Sequence, residues 1–491
     1  MFCNRCCLLQ DTTNLRSNRV PTSRLEIFCI KNTILLHLHT HLHTPLHNMK
    51  TTLNLSRFYK ACNPSYTLNI SNALDRQYYI DFADVRGCKI VEELQRTIIR
   101  ISPDEPTCQL FTGHIGCGKS TELQRLKTEL ELAGFHVVYF ESSQDLDMAD
   151  IDISDILLSV ARQVSASLEG ISIKLKPGYF TNLFKEVGDF LQSPIELSGQ
   201  AELSLGIAKI TAKTKDSTQM RNQLRQYLEP RTNSILQAIN EEILEKAVEQ
   251  LKLRGQKGLV VIVDNLDRVD MRPLASGRSQ PEYLFIDRGE QLRRLKCHLV
   301  YTIPLTLIFS NEYETLKNRL GGGIAPKVLP MVLVRQRDGT DYEPGMSLVR
   351  QLVLARAFPE VPLNERFFLI TELFDHSQTL DRICRVSGGH IRNLLGLLYS
   401  CLQRQDPPFS RDCLEAVIKG YRDDLLLAID EFQWELLFEV VQQQKVKGES
   451  DYQSLLRSMY LFEYRDPLGR WFGISPALAE TEKVLAWQKN K

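Results

Sequence analysis

The sequence predicts an α/β fold: a doubly wound, mostly parallel sheet, then an all-helical segment, then a second helical segment ending in a hairpin. Three observations predict it. A glycine-rich loop, Gly113-His114-Ile115-Gly116-Cys117-Gly118-Lys119-Ser120-Thr121, lies between a short apolar run (Cys108, Leu110, Phe111) and leucines at helical spacing, Leu123, Leu126 and Leu130. Four further apolar runs, at residues 135–140, 258–264, 297–304 and 327–334, alternate with helical patterns, the order that builds parallel βαβ units. Beyond residue 335 the apolar spacing is helical until a hairpin pattern near residue 460.

The 491-residue chain is long enough for several domains, and 43% hydrophobic content is ordinary for a globular protein. Lys+Arg and Asp+Glu both total 60, so no overall basic field points to nucleic acid or an anionic membrane. The longest apolar stretch, residues 298–309, contains Pro304 and is too short to span a bilayer, so no membrane is expected. The 12 cysteines are scattered, which suits reduced thiols in a cytoplasmic protein better than a disulfide framework.

Residues 1–48 stand apart. They hold His37, His39, His41, His43 and His47 with Cys3, Cys6 and Cys7, and they read either as a metal-binding tail or as an extension upstream of a start at Met49. The histidines follow no ligand spacing and no core pattern accompanies them, which favours the extension. Residues 49–105 form a lead-in: Tyr78, Ile80 and Phe82 look strand-like, and Ile90, Leu94 and Ile98 mark one face of a helix. The turn at Val85-Arg86-Gly87 reads either as a contact for a nucleotide base or as a simple approach to that helix. Residues 106–335 form the α/β core, with an insertion at 172–250. Within the insertion Ile195, Leu197, Leu203, Leu205, Ile207 and Ile210 alternate partly with polar residues and suggest a hairpin, and helices follow on either side of Pro230. The acidic stretch at 145–155 reads as a capped helix start. Residues 336–405 are an all-α lid, and 406–491 are the C-terminal segment.

The loop carries the chemistry. It fits G-x-x-x-x-G-K-[S/T] at every fixed position, so Gly113, His114, Ile115, Gly116, Cys117, Gly118, Lys119, Ser120 and Thr121 form a candidate nucleotide cradle. Glycines let several N–H groups turn inward toward phosphate oxygens, Lys119 brings a charge to the β/γ-phosphates, and Ser120 offers a hydroxyl to Mg²⁺. The helix that follows adds its positive end. ATP and Mg²⁺ are the expected ligands. The run Leu259-Val260-Val261-Ile262-Val263 is what a strand buried on both faces looks like, and Asp264 at its end lies where ligands bind. Asp264 is therefore the expected partner of the Mg²⁺ on Ser120.

The order of these parts, over roughly residues 77–404, resembles AAA+ ATPases, particularly the origin-recognition and STAND-like branches. The loop resembles Walker A and residues 260–267 resemble Walker B. The resemblance implies a P-loop NTPase sheet with an all-α lid and a C-terminal winged helix. It implies that Thr302, ending the fourth strand, orients the attacking water. It also implies that Arg392, in Ser387-Gly388-Gly389-His390-Ile391-Arg392, touches the γ-phosphate from the lid. Arg319 stands where an arginine finger acting on a neighbouring copy would lie, or simply caps its helix. One departure counts against fast hydrolysis: Asn265 occupies the place of the family's general-base Glu and cannot accept a proton. Asp267 is the substitute. No Asn-Lys-x-Asp occurs, so guanine specificity is not expected.

Helices at 411–419, 430–444 and 451–459, then a hairpin around Asp466-Pro467-Leu468-Gly469, look like a winged helix. Residues 406–491 carry 11 Lys+Arg against 15 Asp+Glu, a net charge of −4, which favours a protein partner over DNA. The reading is an ATP-dependent switch with slow hydrolysis: Lys119, Asp264, Asp267 and Thr302 are catalytic and Arg392 senses phosphate. The competing readings are a DNA-binding replication or partition ATPase, and a nucleotide-stabilised scaffold without turnover.

Overall fold

The computed structural model describes residues 53–175, 178–191, 203–215 and 217–490, with backbone alone at 211–215. The expectation for residues 1–48 lies outside the described residues. Five strands form one sheet: β1 (Cys108–Gly113), β2 (His136–Glu141), β3 (Leu259–Asp264), β4 (His298–Thr302) and β5 (Lys327–Leu329). Their order is β2-β3-β4-β1-β5 and every pair is parallel. All five C-terminal ends therefore open on one edge, where the glycine loop, Glu141, Asp264 and Thr302 collect.

β3 is buried along its whole length, and its side chains serve two cores in alternation. Val261 and Val263 pack with the helix Ile153–Gly170 and the insertion, on one face of the sheet. Val260 and Ile262 pack with Ile90, Leu94, Ile98, Leu123 and Leu126 on the other. Two-sided burial is why this strand reads as an unbroken apolar run.

β5 is shorter than the apolar run at 327–334 predicts. Past Leu329 the chain leaves the sheet: the Met331 N–H donates to the Glu463 carbonyl at 2.9 Å and the Val332 N–H to the Gly389 carbonyl at 3.3 Å. Two other expectations are overturned. Residues 203–215 form a helix, not a hairpin arm, with Leu203, Ile207 and Ile210 buried at helical spacing; Ile195 and Leu197 lie outside the described residues. Tyr78 ends the helix Ala73–Tyr78, and residues 79–82 belong to no strand among the described residues. The acidic stretch does cap a helix: Asp152 and Asp155 form a reciprocal capping box. Asp150 meets Arg221, Arg225 and Arg272, which ties the insertion to the core.

The segment expected to be an all-α lid contains helices Glu343–Ala357, Ser377–Ser387 and Ile391–Leu402, packed around a core that includes Leu352, Ile383, Leu394 and Leu398 together with Phe58 and Phe82 of the lead-in. Helices Arg411–Leu426, Glu431–Gln443 and Ser450–Arg457 follow, then strands β6 (Leu461–Asp466) and β7 (Gly469–Ile474). This antiparallel hairpin pairs Glu463 with Phe472 and Tyr464 with Trp471. It faces two ways: Phe462, Tyr464 and Trp471 join the sheet-face core with Phe111, while Phe472 joins Trp434, Leu437 and Leu455. Among the described residues no helix is long and apolar enough to cross a membrane.

Candidate functional site

The site begins where β1 delivers the chain at Gly113 and the helix Lys119–Leu132 takes it away. Between them the backbone needs glycine. Gly116 has φ +87° and Gly118 has φ +107°, conformations that side chains rarely tolerate. At Gly116 there is no room either: a Cβ would stand 2.7 Å from both the Cβ of Arg392 and Nε2 of His390. The lid is thus seated on the loop. The Arg392 N–H donates to the Gly116 carbonyl at 3.1 Å, and the His390 ring bonds the Ile115 carbonyl at 2.8 Å. Burial is the main cause that pushes the His390 imidazole down to about 4, so the ring is neutral and donates from Nε2.

Lys119 is buried and fully engaged. Its ammonium donates to the carbonyls of Gly113 and His114, both at 2.8 Å, and stands 2.9 Å from the Asp267 carboxylate. Burial pulls the ammonium toward neutrality, but Asp267 outweighs it, so its pKa lies above the ordinary lysine value. Asp264 is just as buried. It accepts from the Tyr139 hydroxyl at 2.8 Å and the Asn265 N–H at 2.7 Å, and Ser120 hydrogen-bonds the same carboxylate. Burial, then the nearby Asp267, raise its pKa above the usual carboxylate range, and those hydrogen bonds oppose the rise. Among the described residues no group of three or more His, Cys, Asp or Glu side chains is placed to hold a metal. One carboxylate beside one hydroxyl nonetheless fits Mg²⁺, which keeps several waters and takes its other ligands from phosphate.

A cavity of about 550 Å³ runs from the loop beneath the lid. Gly116, Gly118, Lys119, Ser120 and Thr121 line it, as do Asn265, Asp267, Arg268 and Arg392. Burial, then the like charge of Arg268, lower the Arg392 pKa, and both guanidiniums line the same cavity. The structure thus brings the loop, Asp267 and Arg392 onto one cavity, with Asp264 directly behind Ser120. A second cavity of about 370 Å³ lies on the far side of Asp267 and Arg268, bounded by Met271, Leu305 and Met459.

Other expected residues stand apart from the cavity. Thr302 is fully buried behind the strand ends; its hydroxyl accepts from the Leu266 N–H at 3.0 Å and donates to the Val263 carbonyl at 3.3 Å. That hydroxyl holds the turn carrying Asp267, so its donor is not free for a water. His114 also turns away: its Nε2 accepts from the Glu463 N–H of β6 at 3.0 Å, and burial pushes its imidazole down to about 3. The side chain of Cys117 points toward Leu329. Arg319 is half-exposed and donates to the Ile286 carbonyl at 3.4 Å.

Sequence reasoning missed three residues. Arg86 is buried and donates to the Cys117 carbonyl at 2.6 Å, so the turn at 85–87 braces the loop and does not line the cavity. Glu141 ends β2 in register with Asp264, lines the cavity, and accepts a bond from the Gln144 amide at 3.1 Å. Arg356 also lines the cavity, near Tyr66 of the lead-in segment. Register along the sheet edge gave the only prior signal for Glu141. For Arg356 there was none, and Arg86 stood out only as part of the turn before the helix.

Residues 88–276 match the KAP family P-loop domain, and the five-stranded parallel sheet with its flanking helices has the P-loop NTPase fold. The match covers less than half of the chain. No curated protein matches it. Among solved structures the chain is similar to the Thermotoga maritima RuvB Holliday junction branch migration motor, at 12% identity and TM-score 0.33 over 86% of this chain and 98% of that one. It is also similar to Aeropyrum pernix ORC2, at 11% identity and TM-score 0.36 over 82% and 94%. A Walker-type ATPase of Pyrococcus abyssi is similar at 13% identity and TM-score 0.36 over 80% and 95%.

Proposed function

We propose that the chain is an ATP-dependent switch of the AAA+/STAND type, in which a nucleotide lies between the α/β core and the helical lid. One observation carries this reading: Lys119, Ser120 and Arg392, from core and lid, converge on one cavity. Lys119 and the loop N–H groups bind the phosphates, and Ser120 with Asp264 holds Mg²⁺. The metal, when bound, neutralises charge on the β- and γ-phosphates. Arg392 supplies a charge-assisted contact that exists only while the far phosphate is present. Because its own N–H is bonded to Gly116, a shift of the loop is felt at the first turn of the lid helix. The C-terminal segment is read as a winged helix that changes orientation with the lid. Its net charge of −4 favours a protein partner over DNA. Assembly through Arg319 on a neighbouring copy remains part of the proposal.

Hydrolysis is slow in this reading. Asn265 cannot take a proton, and Asp267 is held by Lys119 until phosphate displaces it. Glu141 is a second carboxylate on the cavity. The buried Lys119–Asp267 pair specifically favours one alternative, a scaffold that binds nucleotide without turnover. Single-turnover release of phosphate from γ-labelled ATP, by wild type, Asp267→Ala and Glu141→Gln, separates the two. Release abolished in one variant assigns the base and supports the switch. Tight binding with no release in wild type supports the scaffold, and absence of ATP binding in wild type overturns both.

A further inference from the structure

Arg356 lines the same cavity as the phosphate loop, one residue before the C-terminus of the helix Glu343–Ala357, and it sits against Cys62, Tyr66, Asp75 and Tyr78 of the lead-in segment. It is 4% exposed. Among the described residues neither its Nε nor its Nη1 has a hydrogen-bond partner, and both are shielded from water. The guanidinium lies over the Tyr78 ring, 5.3 Å from its centroid, so one face is already covered by an aromatic. The nearest acid does not complete it. Asp75 is close enough to act on it electrostatically, but its two oxygens accept from the Tyr66 hydroxyl at 2.6 Å and the Asn69 N–H at 2.8 Å. A buried donor without an acceptor is costly and rare in a folded protein, and Nε and Nη1 of Arg356 belong to a side chain that lines the cavity.

The cavity supplies the rest of the argument. Lys119 and Arg392 are its phosphate-binding side chains, and Ser65, Tyr66 and Thr67 of the lead-in segment line it as well, leaving room for a nucleoside beside them. Pro64, Ile391 and Leu395 add apolar surfaces to its lining, of the kind that sandwich a flat ring. A guanidinium has five N–H donors and no acceptor, so it recognises only acceptor atoms. Purine edges present such acceptors: the ring nitrogens of adenine, or N7 and O6 of guanine. We infer that Arg356 reads the base of a purine nucleotide, donating to ring acceptors of a purine held between residues 64–67 and the lid helix Ile391–Leu402. This inference rests on the nucleotide reading of the phosphate loop and goes beyond it. The base is fixed by the lid and the lead-in segment, so base recognition and lid position are one event.

The test is equilibrium binding of ATP, GTP, CTP and inorganic tripolyphosphate to the full chain, wild type and Arg356→Met. It is joined by deaza analogues of the tighter purine, each lacking one ring nitrogen. Purine triphosphate affinity falls about tenfold or more in Arg356→Met, the scale of a lost charge-assisted hydrogen bond, while tripolyphosphate affinity stays within about twofold. At least one deaza analogue binds wild type about tenfold more weakly than its parent and shows no such difference in the variant. Equal loss for tripolyphosphate and purine overturns the inference, because Arg356 would then act on phosphate. So does equal binding of every deaza analogue to wild type, a result that needs no folded variant. Wild type that binds tripolyphosphate and ATP alike overturns the base reading only. Wild type that binds neither overturns the nucleotide site itself.

Discussion

Asp267→Asn should weaken the protein while strengthening its grip on a triphosphate. In the structure the Asp267 carboxylate and the Lys119 ammonium are 2.9 Å apart, with side chains 5% and 6% exposed. Removing one partner of a buried pair costs about 3–5 kcal/mol, because the other charge is left uncompensated. Lys119 keeps two carbonyl acceptors at 2.8 Å, which places the loss at the lower end, about 3 kcal/mol. For a domain of this size that corresponds to a fall of roughly 5 °C or more in melting temperature. A bound phosphate restores the missing negative charge, and in the variant it no longer competes with Asp267 for Lys119. Nucleotide affinity therefore rises, and saturating ATP raises the melting temperature more in Asp267→Asn than in wild type. Thermal melts with and without ATP, together with direct titration, check both halves. Lys119→Met and the double variant complete the cycle, and the two single losses should not add. An apo melting temperature unchanged by Asp267→Asn, together with unchanged or weaker ATP binding, would refute the reasoning.

Three further outcomes follow from the same geometry. Asp264 has a pKa raised first by burial, so its ionised form destabilises the fold, and the stability it contributes when protonated is lost as pH rises through that raised value. Asp264→Asn should therefore melt higher than wild type at pH 8 without ligand and lose the Mg²⁺-dependent part of ATP binding. Glu463 of the hairpin is pushed up to about 7 by burial, against the opposing charge of Arg470. Its raised pKa means stability present below the carboxyl's unfolded value and lost toward pH 7, at about 1.4 kcal/mol per pH unit. Denaturant titrations should find that slope in wild type between about pH 5 and 7, and find it flattened in Glu463→Gln. Gly116→Ala puts a methyl 2.7 Å from Arg392 and His390, so the first turn of the lid helix must lift from the loop. ATP affinity should fall about tenfold or more, and proteolysis should cut faster around residue 390; unchanged values in both would contradict the seating of lid on loop.

The sequence made legible what a single local pattern encodes. The five apolar runs, the glycine loop and the acid after Val263 each carry their own signal, because parallel strands are buried on both faces and phosphate cradles need glycine. Patterns that need a partner were harder. Leu203, Leu205, Ile207 and Ile210 satisfy a partial alternation, yet 203, 207 and 210 form one helical stripe while Leu205 is 46% exposed. Tyr78, Ile80 and Phe82 alternate but belong to no strand among the described residues. The roles of Arg86 and Arg356 were hidden for another reason: a lone arginine beside apolar residues reads as a surface cation, and only tertiary contact makes one a brace of the loop and the other part of a cavity wall. Thr302 sits at the strand end as expected, but its hydroxyl is committed to the Asp267 turn, a bond that no spacing rule contains.

The most direct test of the account is equilibrium titration of the full chain with ATP, in the presence and absence of Mg²⁺, beside Lys119→Ala. The account predicts saturable binding at one site, strengthened by Mg²⁺ and lost in the variant. Wild type that does not bind, or a Lys119→Ala variant that binds as tightly as wild type, would contradict it.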